Sequence, residues 1–255
     1  MTPSLPDAFL TIPIAHRALH DVRDGRPENS RAAIEAAIDA GYGIEIDVQL
    51  TADRQAAVFH DYALDRLTEE LGPISKRSLA DLATLRLRGG EDGVPGLIEV
   101  LAMVGGKVPL LIELKDQDGA LGPDVGVLEM AVGTAVSDYR GPVAVMSFNP
   151  HSVAAMQTLL PNVPRGLVTE AFAKQDWPVP EERLAALRTI PDYARVGASF
   201  ISHNAVDLDA PRVAELKEAG ADILCWTVRS PEAEAEARRV AQNVTFEGYL
   251  PPLPS

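Results

Sequence analysis

At 255 residues the chain has the length of one α/β barrel, and with 46% hydrophobic and 24% charged residues it can fill a core, which argues against wholesale disorder. A formal net charge of −14 works against nucleic acid or any other phosphate-rich polymer as a partner, so a small anionic substrate would need a locally positive spot. Cys225 is the sole cysteine, the opening MTPSLPDAFLTIPIAH lacks a basic segment with a cleavage pattern, and no run reaches the ~18 apolar residues of a membrane span. A cytoplasmic protein without integral membrane association is the expectation.

In chain order, short runs of Ile, Val and Leu alternate with Ala-rich helical patterns, which predicts βα units around a parallel sheet. Strands are expected at 11–16, 43–51, 56–60, 108–115, 143–148, 165–169, 199–203, 222–228 and 244–248. That is one more than an eightfold barrel uses. Only residues 52–55 separate the second run from the third, whereas a parallel crossover takes about a dozen residues or more. The third run is therefore an antiparallel excursion, and eight parallel strands remain: a distorted (β/α)8 barrel, read as a single domain over 1–255. An insertion at about 61–107, with helical patterns at 78–87 and 97–104, follows the second barrel strand and is expected to cap the carboxyl-terminal mouth. Other helices are expected to begin at Ser30, Asp124, Pro150, Pro180, Pro211 and Pro231. The Pro-rich tail LPPLPS cannot continue a sheet.

Two strands share an unusual pattern. In Ile44-Glu45-Ile46-Asp47-Val48 alternation puts both carboxylates on one face, and in Leu111-Ile112-Glu113-Leu114-Lys115 it groups Glu113 with Lys115. Helices cover the outer face, so the charged set points to the barrel axis, where uncompensated carboxylates would cost several kcal/mol each. Three converging acids suit one hard divalent cation; an ion-pair network with Lys115 and Arg17 is the alternative. His16 and Arg17 end the first strand and His60 ends the VFHD run. Two imidazoles beside one site can divide general acid and general base work.

The blocks AHRA, RPENS, IEIDVQLTAD, VFHDYALDRLT and LLIELK, in this order, resemble the glycerophosphodiester phosphodiesterase family of phospholipase-C-like barrels, and VMSFNP, RGLVTE and CWTV extend the likeness over most of the chain. The resemblance implies metal-dependent hydrolysis of glycerophosphodiesters to glycerol 3-phosphate and an alcohol. It makes His16 and His60 the acid/base pair, Arg17 and Lys115 the phosphate grips, and Glu45, Asp47 and Glu113 the ligands of one Mg²⁺ or Ca²⁺ ion. Glu28 would orient Arg17 and His16 or reach the metal; its residues also read as a helix start. Trp226 and Phe148 are candidates to line the pocket, with core packing as their other reading. His203 and Asn204 could bind a hydroxyl, and Tyr62 and His20 receive no role.

Two departures from the family pattern stand out: Ala18 where glycine usually follows His-Arg, and VTFEGYLPP in place of an Asp-x-Pro ending, which brings Glu247 into consideration. Two other classes of function are open at this point. One is a metal-dependent barrel lyase or aldolase, which has no use for paired strand-end histidines. The other is a non-catalytic protein that binds headgroups or sugar phosphates. Oligomeric state is not legible.

Overall fold

In the computed structural model, which describes residues 2–254, nine strands form one sheet: β1 Ile14–Ala15, β2 Gly43–Leu50, β3 Ala56–Val58, β4 Leu110–Leu114, β5 Val143–Ser147, β6 Arg165–Thr169, β7 Phe200–Asn204, β8 Asp222–Val228 and β9 Asn243–Phe246. Eight of them are parallel and close on themselves, because Ile14 of β1 registers with Gly43 of β2 on one side and Thr245 of β9 on the other. The ninth, β3, runs antiparallel to β2, with Val48 opposite Val58 and Leu50 opposite Ala56. The barrel and its excursion are thus as the loop lengths required.

The helices are α1 Asp7–Thr11, α2 Arg31–Ala40, α3 Leu79–Leu82, α4 Leu97–Val104, α5 Val127–Val136, α6 Pro150–Leu159, α7 Glu181–Arg188, α8 Pro211–Glu218 and α9 Pro231–Ala237. Ser30 caps α2 by accepting the Ala33 N–H, and Pro150, Pro211 and Pro231 open their helices, where a missing N–H costs no hydrogen bond. The α5 helix starts at Val127 rather than Asp124: the Glu129 carboxylate accepts the Gly126 N–H and fixes the first turn there. None of the helices among the described residues is long and apolar enough to cross a membrane.

The first expected strand, 11–16, is shorter than its pattern: Thr11 is the last residue of a helix, and only Ile14 and Ala15 pair in the sheet. Residues 7–11 form α1, and Pro13 forces Ile12 into extended backbone, so β1 has only two residues. The Asn243 side chain ties the end of α1 to β9 by donating to the carbonyls of Phe9 (2.8 Å) and Ile12 (2.6 Å). Phe9 and Leu5 then close the bottom of the barrel against Leu111, Ala144, Val168, Phe200 and Leu224. At Gly166 any side chain would collide with the Phe200 ring that fills this layer.

The expected 78–87 helix shrinks to α3, with a Ser78–Asp81 capping box. Its continuation is stopped because the Val94 N–H takes the Leu82 carbonyl and Gly93 sits against Ala83. Residues 59–94 build a small core of their own from Phe59, Leu64, Leu67, Ile74, Leu82, Leu87 and Val94. By contrast α4 lies in the outer ring, its Leu97, Val100, Leu101 and Val104 packed with Ile34 of α2 and Val132 of α5. The tail folds back along the barrel, where the Pro251 carbonyl accepts the Tyr42 hydroxyl at 2.6 Å.

Candidate active site

Ile44, Ile46 and Val48 of β2 and Leu110, Ile112 and Leu114 of β4 belong to the core under the helices, which leaves the alternate side chains for the barrel axis. Register then decides the geometry: Asp47 lies directly across from Glu113, with Glu45 one step deeper on the same face. One oxygen from each of Glu45, Asp47 and Glu113 falls within 4.8 Å of the others, and all three residues are buried.

Their charges are compensated unequally. Lys115 Nζ reaches Glu113 Oε1 at 2.8 Å and Asp47 Oδ1 at 3.3 Å; Asn29 Nδ2 donates to Asp47 Oδ2 at 3.0 Å. Burial works to raise the Asp47 carboxyl, but Lys115, His60, Arg17 and His16 outweigh it and hold Asp47 well below the usual carboxylate range. Glu45 accepts the Arg17 backbone N–H at 2.8 Å, and among the described residues it forms no ion pair. Burial foremost, then the Asp47 and Glu113 charges, pushes its carboxyl well above the usual range. An all-oxygen set with an undercompensated member fits a hard divalent cation.

Arg17 and Ala18 follow β1 with φ of 51° and 64°, and Asn29 has φ 57°. This left-handed turn places the Arg17 backbone on Glu45 and lets its Nη1 donate to Glu28 Oε1 at 2.8 Å, with Nε 3.6 Å from Asp47. It also accounts for glycine being usual at the Ala18 position: a Cβ is tolerated there under strain. Glu28 therefore reaches Arg17 and, through its other side, Arg66, rather than joining the three acids.

His16 and His60 both line a cavity of about 160 Å³ together with Arg17, Glu45, Asp47, Glu113 and Lys115. Each imidazole is anchored through Nδ1 to a carboxylate, His16 to Glu247 Oε2 and His60 to Asp61 Oδ1, both at 2.7 Å. An ionised partner keeps the proton on Nδ1, so Nε2 is the nitrogen left to exchange protons. Burial lowers the His16 pKa, against the opposing pull of Glu247. Glu247 is itself held well below the usual range, first by the His16 bond, and Arg229 Nε adds a contact at 2.7 Å. Burial would raise Asp61, but its bonds to His60 and Arg66 hold it low. Arg66 forks between Asp61 (2.7 and 2.9 Å) and Glu28 (2.7 and 2.8 Å), linking the His60 side to Arg17.

The apolar wall is Met146, Phe148, Val168 and Trp226. Phe148 packs edge-on against Trp226 with centroids 5.6 Å apart, and Trp226 Nε1 donates to the Ser202 carbonyl at 3.0 Å, which fixes the indole. His203 is not at the cavity: its Nδ1 faces Thr169 Oγ1 at 2.8 Å and its Nε2 faces Asp207. Asn204 caps the turn that follows and reaches Glu170. Larger grooves of about 620 and 840 Å³ lie on the flanks, lined by neither His60 nor the three acids.

Sequence reasoning missed Asp61, Arg66, Asn29 and Arg229 and gave Glu247 little weight. Asp61 and Arg66 stand inside the quoted VFHDYALDRLT block and Asn29 inside RPENS, so a signal existed. Arg229 had none, since its contact depends on how β8 ends beside β9.

Comparison with known proteins agrees with this architecture. The sequence pattern of the glycerophosphoryl diester phosphodiesterase family matches residues 16–245. A glycerophosphodiester phosphodiesterase of Caldanaerobacter subterraneus is 29% identical over 233 residues, covering 87% of each chain. One of Bacillus subtilis is 29% identical over 210 residues, 74% of this chain and 70% of its own. Among solved structures, an Oleispira antarctica phosphodiesterase in complex with the product sn-glycerol-3-phosphate superposes with a TM-score of 0.75 at 23% identity, covering 94% of both chains. A Thermotoga maritima glycerophosphodiester phosphodiesterase gives 0.68 at 20% identity, covering 92% of this chain and 94% of its own. These structures share the fold, and the match over residues 16–245 makes this chain a member of the glycerophosphoryl diester phosphodiesterase family.

Proposed function

We propose that this protein hydrolyses glycerophosphodiesters to sn-glycerol 3-phosphate and an alcohol, using a divalent cation, Mg²⁺ or Ca²⁺, held by Glu45, Asp47 and Glu113. The observation that carries the reading is the pair of imidazoles lining one cavity, each tied through Nδ1 to its own carboxylate, together with three acids and two cations. A lyase would need one acid/base residue, and a binding protein neither.

Arg17 and Lys115 present positive charge to the non-bridging phosphoryl oxygens, in a small cavity where little water screens them. The bound cation would supply a Lewis acid for a phosphoryl oxygen. One imidazole Nε2 takes the proton of the nucleophile, and the other gives a proton to the leaving alkoxide. Phe148 and Trp226 offer an apolar face for the carbon skeleton of the glycerol. Water and the substrate's own glycerol hydroxyl are both nucleophiles this pair can serve; a cyclic glycerol phosphate appearing early in the time course distinguishes the second.

The test is a panel of glycerophosphodiesters with and without Mg²⁺ or Ca²⁺. Cation-dependent release of sn-glycerol 3-phosphate is expected. Cation binding without release from any member would mean a binding protein, and release unaffected by chelation would remove the metal from the scheme.

A further inference from the structure

Behind His16, on the flank of the barrel, a second set of ligating atoms converges. We propose that His16 Nδ1, His20 Nε2 and Glu247 Oε2 form a separate site for a borderline transition ion such as Zn²⁺, and that filling it disables His16. The three side chains bring ligand atoms within 4.8 Å of one another, with Glu247 Oε2 2.7 Å from His16 Nδ1 and 3.7 Å from His20 Nε2. His20 Nε2 is buried yet has no hydrogen-bond partner, so one lone pair or proton of that ring stands unused beside a carboxylate. Such an orphan costs stability unless something occupies it.

The donor set separates this cluster from the three acids. Glu45, Asp47 and Glu113 offer oxygen alone, which suits Mg²⁺ or Ca²⁺, whereas two imidazoles and a carboxylate are a zinc set. Zinc bonds of about 2.0–2.2 Å place tetrahedral ligand atoms roughly 3.4 Å apart. The observed spacings bracket that value, so small side-chain shifts complete the site. Arg229 holds the other oxygen of Glu247, Oε1, and leaves Oε2 for the ion.

Access is separate as well. His20 and Glu247 line the flank groove of about 840 Å³, where Asp21 and Asp24 are paired with Arg23 and Arg26, and His20 is not on the wall of the 160 Å³ cavity. An ion can enter from this flank while substrate occupies the mouth. Metal on Nδ1 displaces the His16 proton to Nε2, the nitrogen left for proton exchange, and the ring can no longer act as a base. The binding claim is independent of the reaction; the inhibition claim rests on the function proposed above.

The experiment titrates Zn²⁺ into protein already saturated with Ca²⁺, following heat and, with Co²⁺ as a spectroscopic substitute, visible absorption of a four-coordinate ion. One equivalent should bind. His20→Ala should weaken binding at least about tenfold, as loss of a ligand does no less than loss of its supporting shell, while Glu45→Gln should leave it intact. His20→Phe, which keeps a ring in the same space, replaces the alanine variant should that one misfold. Turnover by the unmodified protein should fall on Zn²⁺ addition and return on chelation and Ca²⁺ resupply, and the His20 variants should turn over normally and resist Zn²⁺. Equal affinity in the His20 variants, or binding lost in Glu45→Gln alone, overturns the site. Binding at this site with undiminished turnover overturns the switch, and binding in a protein that cleaves no diester overturns the proposed reaction but not the site.

Discussion

The two imidazoles of the cavity have the same immediate partner type and opposite surroundings. His16 sits at the seam where β1 meets β9, and Glu247, its anchor, comes from the other end of the chain. His60 follows the short antiparallel β3, and its anchor is the next residue, backed by Arg66 from a small satellite core. One arrangement is made by barrel closure, the other by a local sequence block. The seam holds its ring deeper, His16 being 14% exposed against 30% for His60, while the two anchoring carboxylates are alike at 22% and 24%; behind His60 the half-exposed Arg66 makes ion pairs that salt can weaken.

Removing either imidazole should have the largest effect. His16→Ala and His60→Ala are each expected to reduce kcat by about 10²–10⁴-fold with the fold retained by circular dichroism, and wild-type turnover in either variant would break the pairing. Next come the anchors. Glu247→Gln and Asp61→Asn should each cost roughly 10–100-fold in kcat, by analogy with supporting groups around ligating histidines. The seam anchor should cost more, because His16 has less room to find water as a substitute; a larger loss for Asp61→Asn would reverse the comparison. Arg66→Ala should lower kcat several-fold through loss of the fork between Asp61 and Glu28. Because the guanidinium is half exposed, the difference from wild type should shrink between low and high salt.

His203 extends the comparison to an imidazole sealed away from the cavity. Burial lowers its pKa, with Asp207 opposing. The unfolded chain therefore binds a proton near the ordinary value of about 6.5 that the folded chain refuses, so stability falls as pH drops through 6.5 towards the lower folded value and then levels. Thermal melts from pH 8 to 5 should show a smaller loss in His203→Gln than in the unmodified protein; parallel curves would show that this ring contributes nothing. The smallest effect is expected at Ala18. Glycine there relieves left-handed strain of about 1–2 kcal/mol, offset by ~0.4–1 kcal/mol of unfolded-state entropy and the loss of a buried methyl group worth ~0.8 kcal/mol. Denaturant melts of Ala18→Gly should stay within about 1 kcal/mol of wild type, and a larger change would mean the turn itself had moved.

What the sequence by itself determined was everything set by period and spacing. Alternation in β2 and β4 put Glu45, Asp47, Glu113 and Lys115 on the axis, and the short 52–55 link made β3 antiparallel, because neither depends on distant contacts. Proline and serine likewise marked most helix starts. What only the tertiary structure decided was which groups meet across the barrel. Residue spacing carries no information on the register of β1 against β9, so it could not bring Glu247 to His16, 231 residues away. It gave no sign of the helical plug at 7–11 either, where no element was expected: so short an apolar run suits helix or strand, and the open barrel floor that Leu5 and Phe9 fill decides between them. Local pattern fixes which face a side chain takes, while closure of the barrel fixes its partner.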